Sequence, residues 1–170
     1  MVFFSLLILF VLAGGFFAWN KVKGKEVLNR LHQNLPPIKI PQLNGDLLHL
    51  QGSLTNTANI VAYFNTTCHL CQSEAQLLVA NFQDREDLNF IFISSQPAFE
   101  IREFKEHYKL DKLSNSIFLS DTLFQFANQF RLQGIPVTFA YDSKGKLVKE
   151  FFGTFKIQEL KNAIDQTNGS

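Results

Sequence analysis

The stretch from Ile60 to Cys71 constrains this chain more than any other. Ile60 to Phe64 (IVAYF) is a compact apolar run of the kind that forms a strand buried on both faces. Asn65-Thr66-Thr67 follows. Cys68-His69-Leu70-Cys71 then opens a helical pattern through Leu70, Ala75, Leu77, Leu78 and Phe82. Cys68 therefore sits where a strand ends and a helix begins. Unpaired N–H groups and the positive end of the dipole stabilise an anion at such a position, and the reactive form of a cysteine is its thiolate. Cys71 lies one turn further on, within reach of a disulfide formed at Cys68.

The sequence holds 2 cysteines, and both are in this motif. Two cysteines placed at random would be three apart on the order of one time in a hundred, so the spacing carries information. The count excludes a scaffold stapled by several disulfides and a four-cysteine zinc site. With 170 residues, 46% hydrophobic and 18% charged, the chain can form one packed domain plus an appendage. Its 16 basic and 15 acidic residues give a net charge of +1, which leaves no basic face for nucleic acid. The 19 phenylalanines read as an aromatic-rich core.

The appendage is the amino-terminal run Val2 to Trp19, which carries no charge. Spanning a bilayer as a helix takes roughly 20 apolar residues, so residues 1–20 are expected to form a transmembrane anchor or a signal segment. A retained anchor is favoured, because no Lys or Arg precedes the run and more apolar residues follow Ala13-Gly14-Gly15. Lys21, Lys23, Lys25 and Arg30 come next; by the positive-inside rule alone they would leave the domain in the cytoplasm. The cysteine pair argues for the oxidising side. The expectation is a single-pass protein of the cytoplasmic membrane whose domain faces the periplasm or the extracellular side.

Residues 21–37 read as a stalk, with apolar spacing at Val22, Val27, Leu28 and Leu31 and a stop at Pro36-Pro37. The folded domain is expected over residues 38–170. Ile38 to Leu50 reads as a hairpin about Asn44-Gly45. A second buried strand is expected at Phe90 to Ile93, with helices at Ala98 to Tyr108 and Leu123 to Phe130. Val137 to Phe152 reads as another hairpin, and the last helix runs from Lys156 to Gln166. Strands alternating with helices, plus two hairpins, imply an α/β domain with a mixed sheet.

The pieces AYFNTTCHLCQSE and QGIPVTFAYDSKGKLV, in this order of elements, resemble the thioredoxin-like superfamily. The resemblance is strongest to its membrane-anchored TlpA/ResA-like branch and covers about Ile38 to Ile164. It implies a thioredoxin-like fold and thiol–disulfide exchange with protein substrates, which needs no metal, flavin or nucleotide. Some members of that branch reduce disulfides during cytochrome c maturation, so reduction outside the cytoplasm is the favoured direction. The partners implied are protein thiols and disulfides, and a membrane or soluble redox donor.

By position, the resemblance makes Cys68 the attacking and Cys71 the resolving cysteine. Pro136 matches the family's cis-proline, with Ile135 presenting its backbone to substrate; by itself Pro136 reads as a turn before a strand. Glu74 matches a glutamate of the ResA-like branch that could exchange protons with Cys71, against the plainer reading of a solvated helix charge. His69 is either a tuner of the redox couple or an exposed polar residue. Thr67 and Leu70 depart from the usual Trp and Pro, so the direction of electron flow is not inherited. His32, His49 and His107 read as surface or packing residues.

Two other classes remain in view. Two thiolates with His69 beside them could hold Cu(I) in a metallochaperone-like module. A peroxiredoxin-type peroxidase would share the fold, but Asn65 stands where its Thr is usual and the chain has no distant resolving cysteine.

Overall fold

The computed structural model describes residues 14–17, 19, 22–23, 26–28, 30–55 and 57–167. The chain divides into two compact units, Met1–Gln33 and Asn34–Ser170. In the first, the described residues up to His32 are helical, and Phe16, Phe17 and Trp19 are exposed. No helix among the described residues is long and apolar enough to cross a membrane. Most of the expected span, residues 2–13, lies outside the described residues.

The second unit opens with a hairpin of β1 (Lys39–Pro41) and β2 (Leu47–His49), in which Ile40 faces Leu48. Gly45 closes its turn at φ 94°, a conformation that disfavours any side chain. The main sheet contains β3 (Ala58–Phe64), β4 (Leu88–Ser94), β5 (Ser116–Ser120), β6 (Val137–Tyr141) and β7 (Leu147–Phe152). Its order is β5-β4-β3-β6-β7. β3, β4 and β5 are parallel, and β6 and β7 are antiparallel additions. The parallel connections carry α1 (His69–Phe82) and α2 (Ala98–His107). A short helix, α3 (Gln125–Gln129), precedes β6, and α4 (Ile157–Thr167) closes the unit.

Two apolar layers hold this sheet. One packs α1, α2 and α4 against Ile60, Ala62, Phe64, Phe90, Phe92 and Phe118. The other packs the hairpin and α3 against Val61, Tyr63, Ile91, Ile93 and Phe139. Alternate residues of β3 and β4 serve opposite layers, which is why Ile60–Phe64 and Phe90–Ile93 within them read as unbroken apolar runs. The phenylalanines are concentrated here. Phe92 stacks on Phe118 with centroids 4.9 Å apart, and Phe64 meets Phe104 at the same separation.

Two sequence expectations need correction, and one strand was not expected. The buried stripe of α1 is Cys71, Glu74, Ala75, Leu78 and Phe82, whereas Leu70 and Leu77 are 50% and 41% exposed. The expected helix from Leu123 is shorter. Phe124 takes a left-handed φ of 54°, and the Asp121 carboxylate accepts the N–H groups of Gln125, Phe126 and Ala127, so the helix begins only at Gln125. β5 carries no sequence expectation, because serines at both ends leave just three apolar residues between them.

Candidate active site around Cys68 and Cys71

β3 ends at Phe64, and the loop to α1 is organised by one side chain. Asn65 Oδ1 accepts the Thr67 N–H at 2.9 Å and the Thr67 hydroxyl at 2.8 Å. The Asn65 carbonyl accepts the Cys68 N–H at 3.2 Å. Asn65 Nδ2 donates to Gln96 Oε1 at 2.6 Å, and Gln96 in turn donates to Glu100 at 3.0 Å. This chain of bonds ties the loop to the start of α2. It also gives Ser94-Ser95-Gln96-Pro97 a role that its sequence alone does not assign. Neither Asn65 nor Gln96 stands out as a site residue in the sequence.

Cys68 is the N-cap of α1, and its Sγ accepts the Cys71 N–H at 3.4 Å. The sulfur thereby satisfies one of the helix's unpaired donors, in a first turn that contains no acidic residue. Cys68 is half-buried and Cys71 is 3% exposed, and both are free thiols. Burial pushes the Cys71 thiol up, and hydrogen bonding to Cys68 adds to that rise. The accessible sulfur is therefore the one at the helix terminus, with the second held neutral behind it. His69 is exposed, as are Thr67 and Leu70.

β6 completes the site. Val137 pairs with Tyr63 at the end of β3, which carries the preceding Ile135–Pro136 peptide to the end of the sheet where α1 begins. That peptide is cis, and Ile135 is 38% exposed. Pro136 and Cys71 line the same cavity, together with Glu74, Phe64, Phe92 and Phe104. Its volume of about 10 Å³ is enough for one water molecule.

Glu74 faces this cavity, one turn beyond Cys71 and 5% exposed. The Thr138 hydroxyl donates to its Oε1, while Oε2 is buried with no hydrogen-bond partner among the described residues. Burial pushes the carboxyl up to about 7, and the bond from Thr138 opposes that rise. The plain reading of Glu74 as a solvated charge does not describe this position. Of the other histidines, His49 and His107 are exposed and His32 is buried. No group of three or more His, Cys, Asp or Glu side chains is placed to hold a metal ion among the described residues.

The sheet order, the helices on its two faces and a CxxC pair at the start of α1 define the thioredoxin-like fold. DsbF of Mycobacterium tuberculosis, seen in mixed oxidised and reduced forms, has this fold at a TM-score of 0.66 and 18% identity, covering 77% of this chain and 95% of its own. A secreted M. tuberculosis disulfide oxidoreductase homologous to E. coli DsbE matches at a TM-score of 0.65 and 16% identity, over 76% of this chain and 96% of its own. Peroxidoxin BcpB from the same organism matches at 0.65 and 18% identity, over 81% of this chain and 96% of its own. No protein-family model and no curated protein matches the sequence.

Proposed function

We propose that this chain exchanges disulfides with protein substrates through Cys68 and Cys71. The observation that carries the reading is the asymmetry of the pair. One sulfur is accessible at a helix amino terminus and accepts an N–H, and the other is buried beside a carboxyl that burial holds near neutrality. Among fold neighbours that include a disulfide oxidoreductase and a peroxidoxin, this arrangement favours exchange. The residue three before Cys68 is Asn65, whose side chain is committed to the loop, and Cys71 supplies the resolving thiol locally.

In the reductive direction, which the resemblance to the TlpA/ResA-like branch favours, the Cys68 thiolate attacks one sulfur of a substrate disulfide. A mixed disulfide forms, and the first substrate thiolate leaves and takes up a proton. The Glu74 carboxylate then accepts the Cys71 proton. The Cys71 thiolate attacks Cys68 Sγ, and the second substrate thiolate leaves and is protonated in turn. The substrate gains two electrons and two protons, and the Cys68–Cys71 disulfide is re-reduced by a membrane or soluble thiol donor. Ile135 offers its backbone to the substrate segment beside the cis peptide, and His69 next to the attacking sulfur tunes the potential of the couple.

A Cys71→Ser variant tests this scheme, since it can attack but cannot resolve. Incubated with a disulfide-containing protein, it should accumulate a mixed disulfide through Cys68 that persists until a thiol reductant is added. Failure of Cys71→Ser to trap any substrate, with one-to-one Cu(I) binding by the unmodified chain, would replace exchange by metal binding. We also propose that the chain is anchored once in the cytoplasmic membrane with this domain outside, on the strength of the charge-free run from Val2 to Trp19 and the redox pair. A carboxyl-terminal alkaline phosphatase fusion should be active in cells, and an inactive fusion would reverse the orientation.

A further inference from the structure

Thr138 lies two residues beyond the cis proline, on the strand that pairs with β3. It stands opposite Ala62, so the two side chains share the face that α1 covers. Its hydroxyl donates to Glu74 Oε1, and this bond has consequences for the other oxygen. A carboxyl can carry its proton on either oxygen. With Oε1 occupied as an acceptor, the proton is left to Oε2, the oxygen without a partner among the described residues. Glu74 and Cys71 are the titratable side chains that line the cavity. β3 contributes Ala62 and Phe64 to it, β4 Phe92, α2 Phe104 and the position just before β6 Pro136, none of them titratable.

We propose that Thr138 is a positioning residue for the exchange reaction: its hydroxyl holds Oε1 of Glu74 so that Oε2 is the oxygen that takes and returns the Cys71 proton. This deepens the reading of Glu74 given above and rests on it. It also links the two halves of the site, because the strand that presents Ile135 and Pro136 to substrate is the strand that orients the carboxyl. Loss of the hydroxyl removes a bond that favours the ionised form, so Glu74 should ionise at higher pH. A hydrogen bond to a charged group is strong enough to shift that midpoint by about one pH unit.

The test uses the full chain and its Thr138→Val, Thr138→Ser and Glu74→Gln variants. The Glu74 carboxyl is titrated by carbon-13 NMR, and the rate of exchange with a disulfide-containing protein is followed against pH. Thr138→Val should raise the carboxyl midpoint by about one unit and move the inflection of the rate profile with it, and Thr138→Ser should restore both. An unchanged Glu74 titration in Thr138→Val overturns the proposal and leaves the role of Glu74 standing, whereas a shifted titration with an unmoved rate profile overturns both. If Glu74→Gln keeps the unmodified rate profile, the proton-transfer reading fails and the role of Thr138 falls with it.

Discussion

A carboxyl on the inward stripe of a helix is comfortable when neutral and strained when ionised, so Glu74 couples folding to pH. Its ordinary value of 4.5 applies to the unfolded chain, and burial raises it to about 7 in the fold. The folded state therefore binds the extra proton between those values. The stability it contributes is fully present below about 4.5 and is lost as pH rises through 7. The loss amounts to about 3 kcal/mol. Denaturant titrations should show the chain losing stability over that interval and Glu74→Gln losing much less; parallel profiles for the two would contradict the burial argument. The inward position of Glu74 was partly legible, because positions 71, 74, 75, 78 and 82 follow helical spacing. Leu70 and Leu77 concealed it by suggesting a different apolar stripe. Thr138 was not legible at all, since its partner lies 64 residues away and only the β3–β6 register brings them together.

At the scale of elements, the turn from β3 into α1 depends on Asn65, which closes the loop on Thr67 and fastens it to Gln96. Asn65→Ala removes all three side-chain bonds and should lower the unfolding free energy by about 1–2 kcal/mol. Asn65→Asp keeps the acceptor for Thr67 but loses the donor to Gln96, and should recover part of the loss. An alanine variant as stable as the unmodified chain in urea would show that the loop holds without this side chain. β3, β4, β6 and β7 were legible because apolar runs and turn residues mark them. The hairpin about Asn44-Gly45 was legible because Gly45 occupies the turn position that needs positive φ. β5 was not, since its burial comes from neighbours distant in sequence. The start of α3 was set by the Asp121 carboxylate, a tertiary contact that local periodicity does not encode.

Across the folded unit, the carboxyl ends of β3, β4 and β5 and the amino end of β6 lie at one end of the sheet, and the cysteine pair is at that end. The opposite end holds a polar network. There Asn59 accepts from Asn89 at 2.8 Å and donates to the Thr57 carbonyl at 2.7 Å, which ties β3 and β4 together away from the chemistry. The central claim is that Cys68 and Cys71 form one reversible two-electron couple. The most direct measurement is the reduction potential of that pair in the full chain, equilibrated with dithiothreitol or glutathione and read by thiol alkylation. A single reversible transition involving both cysteines is expected, near or below thioredoxin's value of about −270 mV. A midpoint near the value of about −120 mV typical of strong oxidants would reverse the assigned direction. Failure to form a reversible Cys68–Cys71 disulfide at any potential would contradict disulfide exchange through this pair.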